Sequence, residues 1–458
     1  MNEILAIIFL CFSLIILFKK IMLQLMKVIL DSSNIKLLGI LALIIGLFLL
    51  YTVDFSWSDR VWKNTLFIFG IVSILRGFIA ILFENLVYKF ADIFAKNYFK
   101  FSIPLSLLFF SLTLLMVSRD YMGPVKNIDQ CQSDESISLY CGFNNPEDMA
   151  LLPDNKFFLM SEFGGIKPYE EKDGEGSFAL LRINDGTKIT PQIKFGENVW
   201  GDPSCKRNPS DNFGPHGVDL IQRDDGLIQF GVVNHSPFES VEFFELTQDA
   251  NSWLMTWRGC VIAPEENYFN DLSLKRDGSF YVTHMYERDI TVNEWLSAAL
   301  FKYSTGYVLK WDKKNFSKVV GSDGGQPNGI GLDEDSELLY VNYNLGDELR
   351  VINLLNGESI GRYKINSPDN MILLDQSIWL TSLDHETIDV MVNCDIEISV
   401  TCSLPFSIHE IDLVSLKKKN IYSFQETVFG FPTTAYPFKN KIYIGSFHSD
   451  RVAFFQTD

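Results

Sequence analysis

The sequence predicts an all-β six-bladed β-propeller over residues 121–458, preceded by an α-helical membrane domain of about four transmembrane helices over residues 1–120. Three observations lead there. Charge and hydropathy change abruptly near residue 118. Four apolar runs of near-membrane length come before that point, and one strand–turn–strand phrase recurs six times after it.

The apolar runs are Ile4–Phe18, Leu37–Val53, Leu66–Phe83 and Phe101–Val117. Each approaches the ~20 residues that span a bilayer core. The first reads as a span rather than a signal peptide, because Lys19 and Lys20 follow it and no small-residue cleavage site comes next. Arg76, inside the third run, is expensive in lipid and is expected to face the bundle or to snorkel. Orientation follows from the Lys and Arg bias. Lys19, Lys20, Lys27 and Lys36 link the first two runs and Lys89, Lys96 and Lys100 the last two, against Arg60 and Lys63 in the middle link. Both richer links are expected in the cytoplasm. The chain is then a multi-pass membrane protein in contact with lipid, with its propeller extracytoplasmic, whether periplasmic, lumenal or extracellular.

Charge separates the two halves. Residues 1–118 carry ten basic and six acidic side chains, whereas the remainder carries 29 and 51 in a chain of net charge −18. So acidic a domain argues against nucleic acid as a partner, since a phosphate backbone would be repelled. The same surplus is compatible with calcium binding. Six of the seven cysteines, Cys131, Cys141, Cys205, Cys260, Cys394 and Cys402, fall in this half, an even number that permits three bridges in an oxidising compartment. Their spacings suggest Cys131–Cys141 and Cys394–Cys402, leaving Cys205–Cys260, and none resembles a zinc site.

The recurring phrase begins at Asp148, Gly217, Asp271, Gly329 and Asn370, with a weaker copy at Thr433. Each copy reads as a hairpin with an Asp, Asn or Gly turn. The starts lie 69, 54, 58, 41 and 63 residues apart, room for four strands per blade. A β-sandwich with appended strands explains the repeat less well.

The residues opening each copy are Glu147-Asp148, His216-Gly217, Asn270-Asp271, Asn328-Gly329 and Asp369-Asn370. In a propeller the same point of every innermost strand faces the central channel. Glu147, Asn270, Asn328, Asp369 and Asn370 would then offer five oxygen ligands and two negative charges to one place, a set that suits calcium and suits zinc or copper poorly. Any one Asn or Asp at a turn is ordinarily a cap; five in register point to a metal. His216 and His235, nineteen residues apart at matching ends of one hairpin, could form a proton-transfer pair.

These phrases carry a resemblance. From about residue 128 onward the chain resembles the paraoxonase/arylesterase family, calcium-dependent six-bladed propeller lactonases, through Pro146-Glu-Asp, Pro215-His-Gly, Val232-Val-Asn-His, Asn270-Asp, Asn328-Gly-Ile and Asp369-Asn. The gap between the two histidines and the fifteen-residue step from Asn370 to His385 fit it too. The resemblance implies two calcium ions: a catalytic one on Glu147, Asn270, Asn328, Asp369 and Asn370, and a structural one on Asp148, Asp271 and the backbone carbonyl of Val218. It implies that His216 and His235 activate water and that His284 and His385 line or support the site. It departs in two respects. The family has one N-terminal anchor rather than four spans, and its disulfide to the last strand cannot form because no Cys follows Cys402.

The expected function is a membrane-anchored, calcium-dependent hydrolase of lactones or aryl esters. Calcium would polarise the substrate carbonyl, and His216, made more basic by His235, would take a proton from water. Glu147 or Asp369 as a nucleophile is the mechanistic alternative. Two other functions compete: a non-catalytic, calcium-stabilised propeller serving as a ligand-binding or sensor domain, and a phosphotriester- or sugar-lactone-hydrolysing relative that does not require both histidines. Asn234-His-Ser matches a glycosylation sequon beside the expected site, and Asn315-Phe-Ser is the better candidate.

Overall fold

The computed structural model describes residues 2–31, 35–53, 55, 61–118, 128, 130–165, 175–249, 252–385, 389–390, 394, 401–425 and 427–457. Arg60 and the expected domain boundary at residue 120 lie outside them. The chain forms two compact units, residues 1–121 and 122–458.

The first unit contains α1 (Asn2–Ile15), α2 (Lys19–Asp31), α3 (Ile35–Tyr51), α4 (Val61–Leu82), α5 (Glu84–Lys96) and α6 (Tyr98–Ser118). Small residues bring α3 and α4 together. A Cβ on Gly46 would lie 2.7 Å from the Gly70 carbonyl oxygen, and one on Gly77 would lie 2.7 Å from that of Gly39. Ser73 donates to the Ala42 carbonyl at 2.8 Å. In the other pair Ser106 on α6 donates to the Ser13 carbonyl of α1 at 2.8 Å, and Tyr98 to that of Ile16 at 2.6 Å. Meanwhile Ile7, Leu47, Leu75 and Leu107 are exposed. Small and polar residues thus make close contacts within both helix pairs, beside a buried cluster that includes Leu5, Phe9, Trp62 and Met116, while many large apolar side chains stay exposed. Among the described residues two helices, over Trp62–Leu82 and Tyr98–Val117, are long and apolar enough to cross a membrane, or up to three if the pair Ile4–Ile15 and Lys19–Lys27, bent by 97°, makes one span. The first expected span therefore does not run straight to Phe18, and α3 has only 17 residues. The four-span count is not established.

The second unit is a ring of six antiparallel sheets. The innermost strands are Pro146–Leu151, Pro215–Gln222, Asn267–Leu274, Pro327–Asp333, Pro368–Leu374 and Pro432–Phe438, in blades one to six. Blade two gains a fifth, parallel strand, Gln192–Phe195, on its outer edge. A short helix, α7 (Val292–Phe301), interrupts blade three and starts with a Thr291–Glu294 capping box. Blade six has three strands from the end of the ring and a fourth from its beginning: Ser138–Cys141 pairs with Arg451–Gln456, Ser138 opposite Phe454. Ring closure thus rests on strand pairing. Blades pack on one another through aromatic side chains, as with Phe178, Phe213, Phe230 and Phe244, whose ring centroids are 5.5–6.4 Å apart. Disulfides join Cys131–Cys141, Cys205–Cys260 and Cys394–Cys402.

Every innermost strand leaves its ladder at the same place. Pairing with the second strand is irregular between Pro146 and Asp148, Pro215 and Val218, Phe269 and Leu272, Pro327 and Ile330, Pro368 and Met371, and Pro432 and Ala435. In five of the six a proline comes just before, a residue with no N–H to give the ladder. Such irregularities re-aim side chains. The residues skipped are Glu147, His216-Gly217, Asn270-Asp271, Asn328-Gly329, Asp369-Asn370 and Thr433-Thr434.

Candidate calcium site and histidine pair

Glu147, Asn270, Asn328, Asp369 and Asn370 are all buried. They also touch. The Asn370 amide donates to Glu147 Oε1 at 2.8 Å, the Asn328 side chain hydrogen-bonds Asp369, and Asn270 Nδ2 lies 3.4 Å from His216 Nε2. Four oxygens of this set, Glu147 Oε2, Asn270 Oδ1, Asn328 Oδ1 and Asn370 Oδ1, are buried with no hydrogen-bond partner. Buried acceptors are ordinarily satisfied; several in one linked group form a cradle for a hard cation, which takes carboxylate and amide oxygens alike. Among the described residues no three His, Cys, Asp or Glu side chains cluster as metal ligands, so the set depends on its three Asn amides.

Electrostatics points the same way. Burial first, then Asp148, Asp369 and Asp271, raise Glu147 well above the usual carboxylate range. Burial raises Asp369 to about 8 and Asp148 to about 7, and burial together with Asp148 raises Asp271 well above its usual value. No Lys or Arg among the described residues forms an ion pair with any of the four. Four carboxylates taken out of water without a protein cation disfavour their own ionisation, and a divalent ion removes that penalty.

Asp148 and Asp271 also tie blades together. Asp148 accepts from Met149 N at 2.8 Å and, across the blade boundary, from Val218 N at 2.9 Å. Asp271 accepts from Leu272 N at 2.8 Å and from Ile330 N at 3.0 Å in the next blade. The glycines are needed here. A Cβ on Gly217 would stand 2.5 Å from Asp271 Oδ1, and one on Gly329 would stand 2.6 Å from the Asp369 carbonyl oxygen.

His216 Nδ1 lies 2.9 Å from His235 Nε2, and His235 Nδ1 lies 2.8 Å from Glu239 Oε2. The other carboxylate oxygen of Glu239 accepts from Phe269 N at 2.7 Å. A carboxylate only accepts, so His235 gives Nδ1–H to Glu239 and offers Nε2 as acceptor to His216 Nδ1–H. The lone pair of His216 is then on Nε2, which the Asn270 amide approaches at 3.4 Å and which lies 3.9 Å from Glu147 Oε1. Burial, then His235, hold His216 well below its ordinary value. Phe163 packs on the His216 ring at 4.5 Å and Tyr268 on that of His235 at 4.9 Å.

The loop leading to His216 is pinned. The Cys205–Cys260 bridge holds it, as does buried Arg207, which pairs with Glu242 at 2.9 Å and donates to the Asn212 and Ser236 carbonyls. The Asn234 amide is buried and donates to the Ser236 and Phe238 carbonyls, which leaves that sequon inaccessible; Asn315 is exposed.

His284 and His385 do not hydrogen-bond the histidine pair or the four unpartnered oxygens. His284 Nδ1 accepts from Tyr268 N at 3.1 Å, and burial lowers it to about 4. His385 Nδ1 lies 2.9 Å from the Pro405 carbonyl. Glu239 was absent from the sequence reading. Its one signal is its place four residues after His235, which means little until the turn between them is known. Thr433, which donates to the Glu147 carbonyl, was noticed only as a weak sixth copy.

Residues 240–365 match the profile of a family described as the SMP-30/Gluconolactonase/LRE-like region. That stretch contains Asn270, Asp271, His284 and Asn328, and not Glu147, His216 or His235. No curated protein matches the chain. Among solved structures, a luciferin-regenerating enzyme is 10% identical over 70% of this chain and 95% of its own, with a TM-score of 0.42. Regucalcin from Agrobacterium tumefaciens strain C58, a calcium-binding protein, is 11% identical over 70% and 93%, with a TM-score of 0.40. A nidogen/laminin complex is 11% identical over 63% and 93%, with a TM-score of 0.35. The six-bladed ring stands on its strand pairing and the site on its own geometry.

Proposed function

We propose that the chain is a calcium-dependent hydrolase of lactones or related carboxylic esters, tethered to a membrane by its helical unit with the propeller outside the cytoplasm. The supporting observation is the group of four buried acceptor oxygens without donors, set among carboxylates without a protein cation. Glu147, Asn270, Asn328, Asp369 and Asn370 would hold one calcium, and Asp148, Asp271 and the Val218 carbonyl a second. Bound there, calcium supplies Lewis-acid polarisation of a carbonyl oxygen. The chain supplies the rest. His216 Nε2 takes a proton from the attacking water, while His235 orients it and spreads the charge that develops. Glu239 fixes the tautomer of His235. Phe163 and Tyr268 keep bulk water from the two rings and offer an apolar wall to the substrate. His284 and His385 support surrounding strands.

Hydrolysis of a panel of apolar lactones, sugar lactones and aryl esters, with and without a calcium chelator, tests this. The matched profile's name includes gluconolactonase, which brings the sugar lactones into the panel. Chelator-sensitive turnover of at least one class is expected. A purified, calcium-loaded protein inert toward all of them would leave a non-catalytic binding propeller instead.

A further inference from the structure

We propose a second ligand site, in the helical unit: a cavity between α2, α3, α4 and α5 that holds an anionic phospholipid, with its phosphate on Arg76. The proposal rests on α1–α6 lying in a membrane. The cavity measures about 310 Å³, and its walls come from four helices, including Ile29 of α2, Leu38 and Ala42 of α3, Leu75 and Ile79 of α4, and Val87 of α5. Among the described residues Arg76 is the one polar side chain that lines it. Among the described residues Arg76 makes no hydrogen bond or ion pair. A guanidinium always carries its charge, and in lipid such a charge needs an anion or access to water. Among the described residues none offers it a carboxylate.

Three features select a lipid phosphate over another anion. The walls are apolar, which fits an acyl chain and excludes a free hydrophilic ion. Arg76 sits six residues before Leu82, the last residue of α4, or about 9 Å along the axis, a depth that a long side chain can span towards a headgroup. Basic residues are close in sequence to the lining: Lys27 of α2, Lys36 in the first turn of α3 and Lys89 of α5 are exposed, each within two residues of Ile29, Ile35 or Val87. Exposed lysines next to a membrane gather anionic headgroups. The planar guanidinium then matches two phosphate oxygens.

The full chain would be reconstituted in nanodiscs of mixed phosphatidylcholine and phosphatidylglycerol, released in mild detergent and weighed by native mass spectrometry. The wild type should retain phosphatidylglycerol above its share in the disc. Arg76→Gln should retain about tenfold less, the value of a lost charge-assisted hydrogen bond, and Arg76→Lys should fall between. Ala42→Leu keeps the charge and fills the cavity, so it should also release the lipid. Equal retention by wild type and Arg76→Gln, or displacement of the bound species by a free long-chain carboxylate, would overturn the proposal. Alkaline carbonate washing of cell membranes separates the premise. A chain that washes off was never embedded, whereas one that stays and shows no preference sinks the lipid site alone.

Discussion

Mild acid should expel calcium from the channel, well above the pH at which ordinary carboxylates take up protons. Asp148 and Asp369 are raised to about 7 and about 8, and Glu147 and Asp271 well above their usual range, in each case first by burial. Before the ion arrives Asp148 and Asp369 hold protons in mild acid, and binding displaces them. Asp369 in one site and Asp148 in the other are mostly protonated near about pH 6 and release about one proton per ion, so the apparent Kd should rise about tenfold for each unit of pH lost. Stability follows with a definite sign. The folded values lie above the unfolded ones, so these carboxylates favour the ion-free fold at low pH. That contribution is lost as pH rises from about 4 through about 8. Calcium substitutes for the protons and cancels the loss. The melting temperature in chelator should therefore fall as pH rises across that window, while the increase on adding calcium grows. Titration calorimetry in two buffers of different ionisation enthalpy counts the protons, and scanning calorimetry follows the melting. Calcium binding without proton release near about pH 6 would refute the buried-carboxylate argument. Identical melting with and without chelator would remove the ion itself.

His216→Gln should lower lactone kcat by about 10²–10⁴-fold, the usual share of a general base, and leave calcium affinity in place; unchanged turnover would assign catalysis to a carboxylate instead. Glu239→Gln should cost about tenfold in kcat with KM little changed, because an amide can also donate to His235 Nδ1 and favour the wrong tautomer. A change confined to melting temperature would make Glu239 merely structural. Gly217→Ala drives a methyl group against Asp271 and should destabilise by about 1–3 kcal/mol in thermal unfolding; wild-type melting would mean that the inner strands have room to part. Protease added outside sealed spheroplasts should digest the chain beyond the helical unit, and full protection would reverse the proposed orientation.

The ring was legible because its period is visible. A hairpin phrase returning every 41–69 residues marks blades, and a polar pair opening each phrase marks the channel. The prolines at positions 146, 215, 327, 368 and 432 were plain in the sequence. Their part in breaking the ladder was not, since that depends on which neighbours they fail to pair with. Glu239 was invisible for a similar reason: its carboxylate meets His235 only through the turn at residues 236–238 and meets Phe269 only across a blade boundary. In the helical unit hydropathy located the apolar runs and could not count crossings, because it does not show that the chain bends by 97° at the end of the first run, between α1 and α2. The cavity beside Arg76 needs four helices at once, which no single-run pattern contains.

The pairing of Ser138–Cys141 with Arg451–Gln456 joins one of the first segments of the ring to be synthesised with the last. Until about three hundred intervening residues have been made, the first strand has no partner, and the loop it must close is among the longest the chain can form. The ring therefore cannot be completed blade by blade from its beginning. Blades one to five can pair internally, yet their junctions stay open to lateral slip until the last hairpin docks. A nick or stop within blade six would leave an open arc whose channel residues no longer converge, rather than a weakened ring. The segment waiting for its partner comes after the helical unit in sequence, so the helices are made before the ring can close. Chaperones that shield unpaired strand edges would be needed most during that interval.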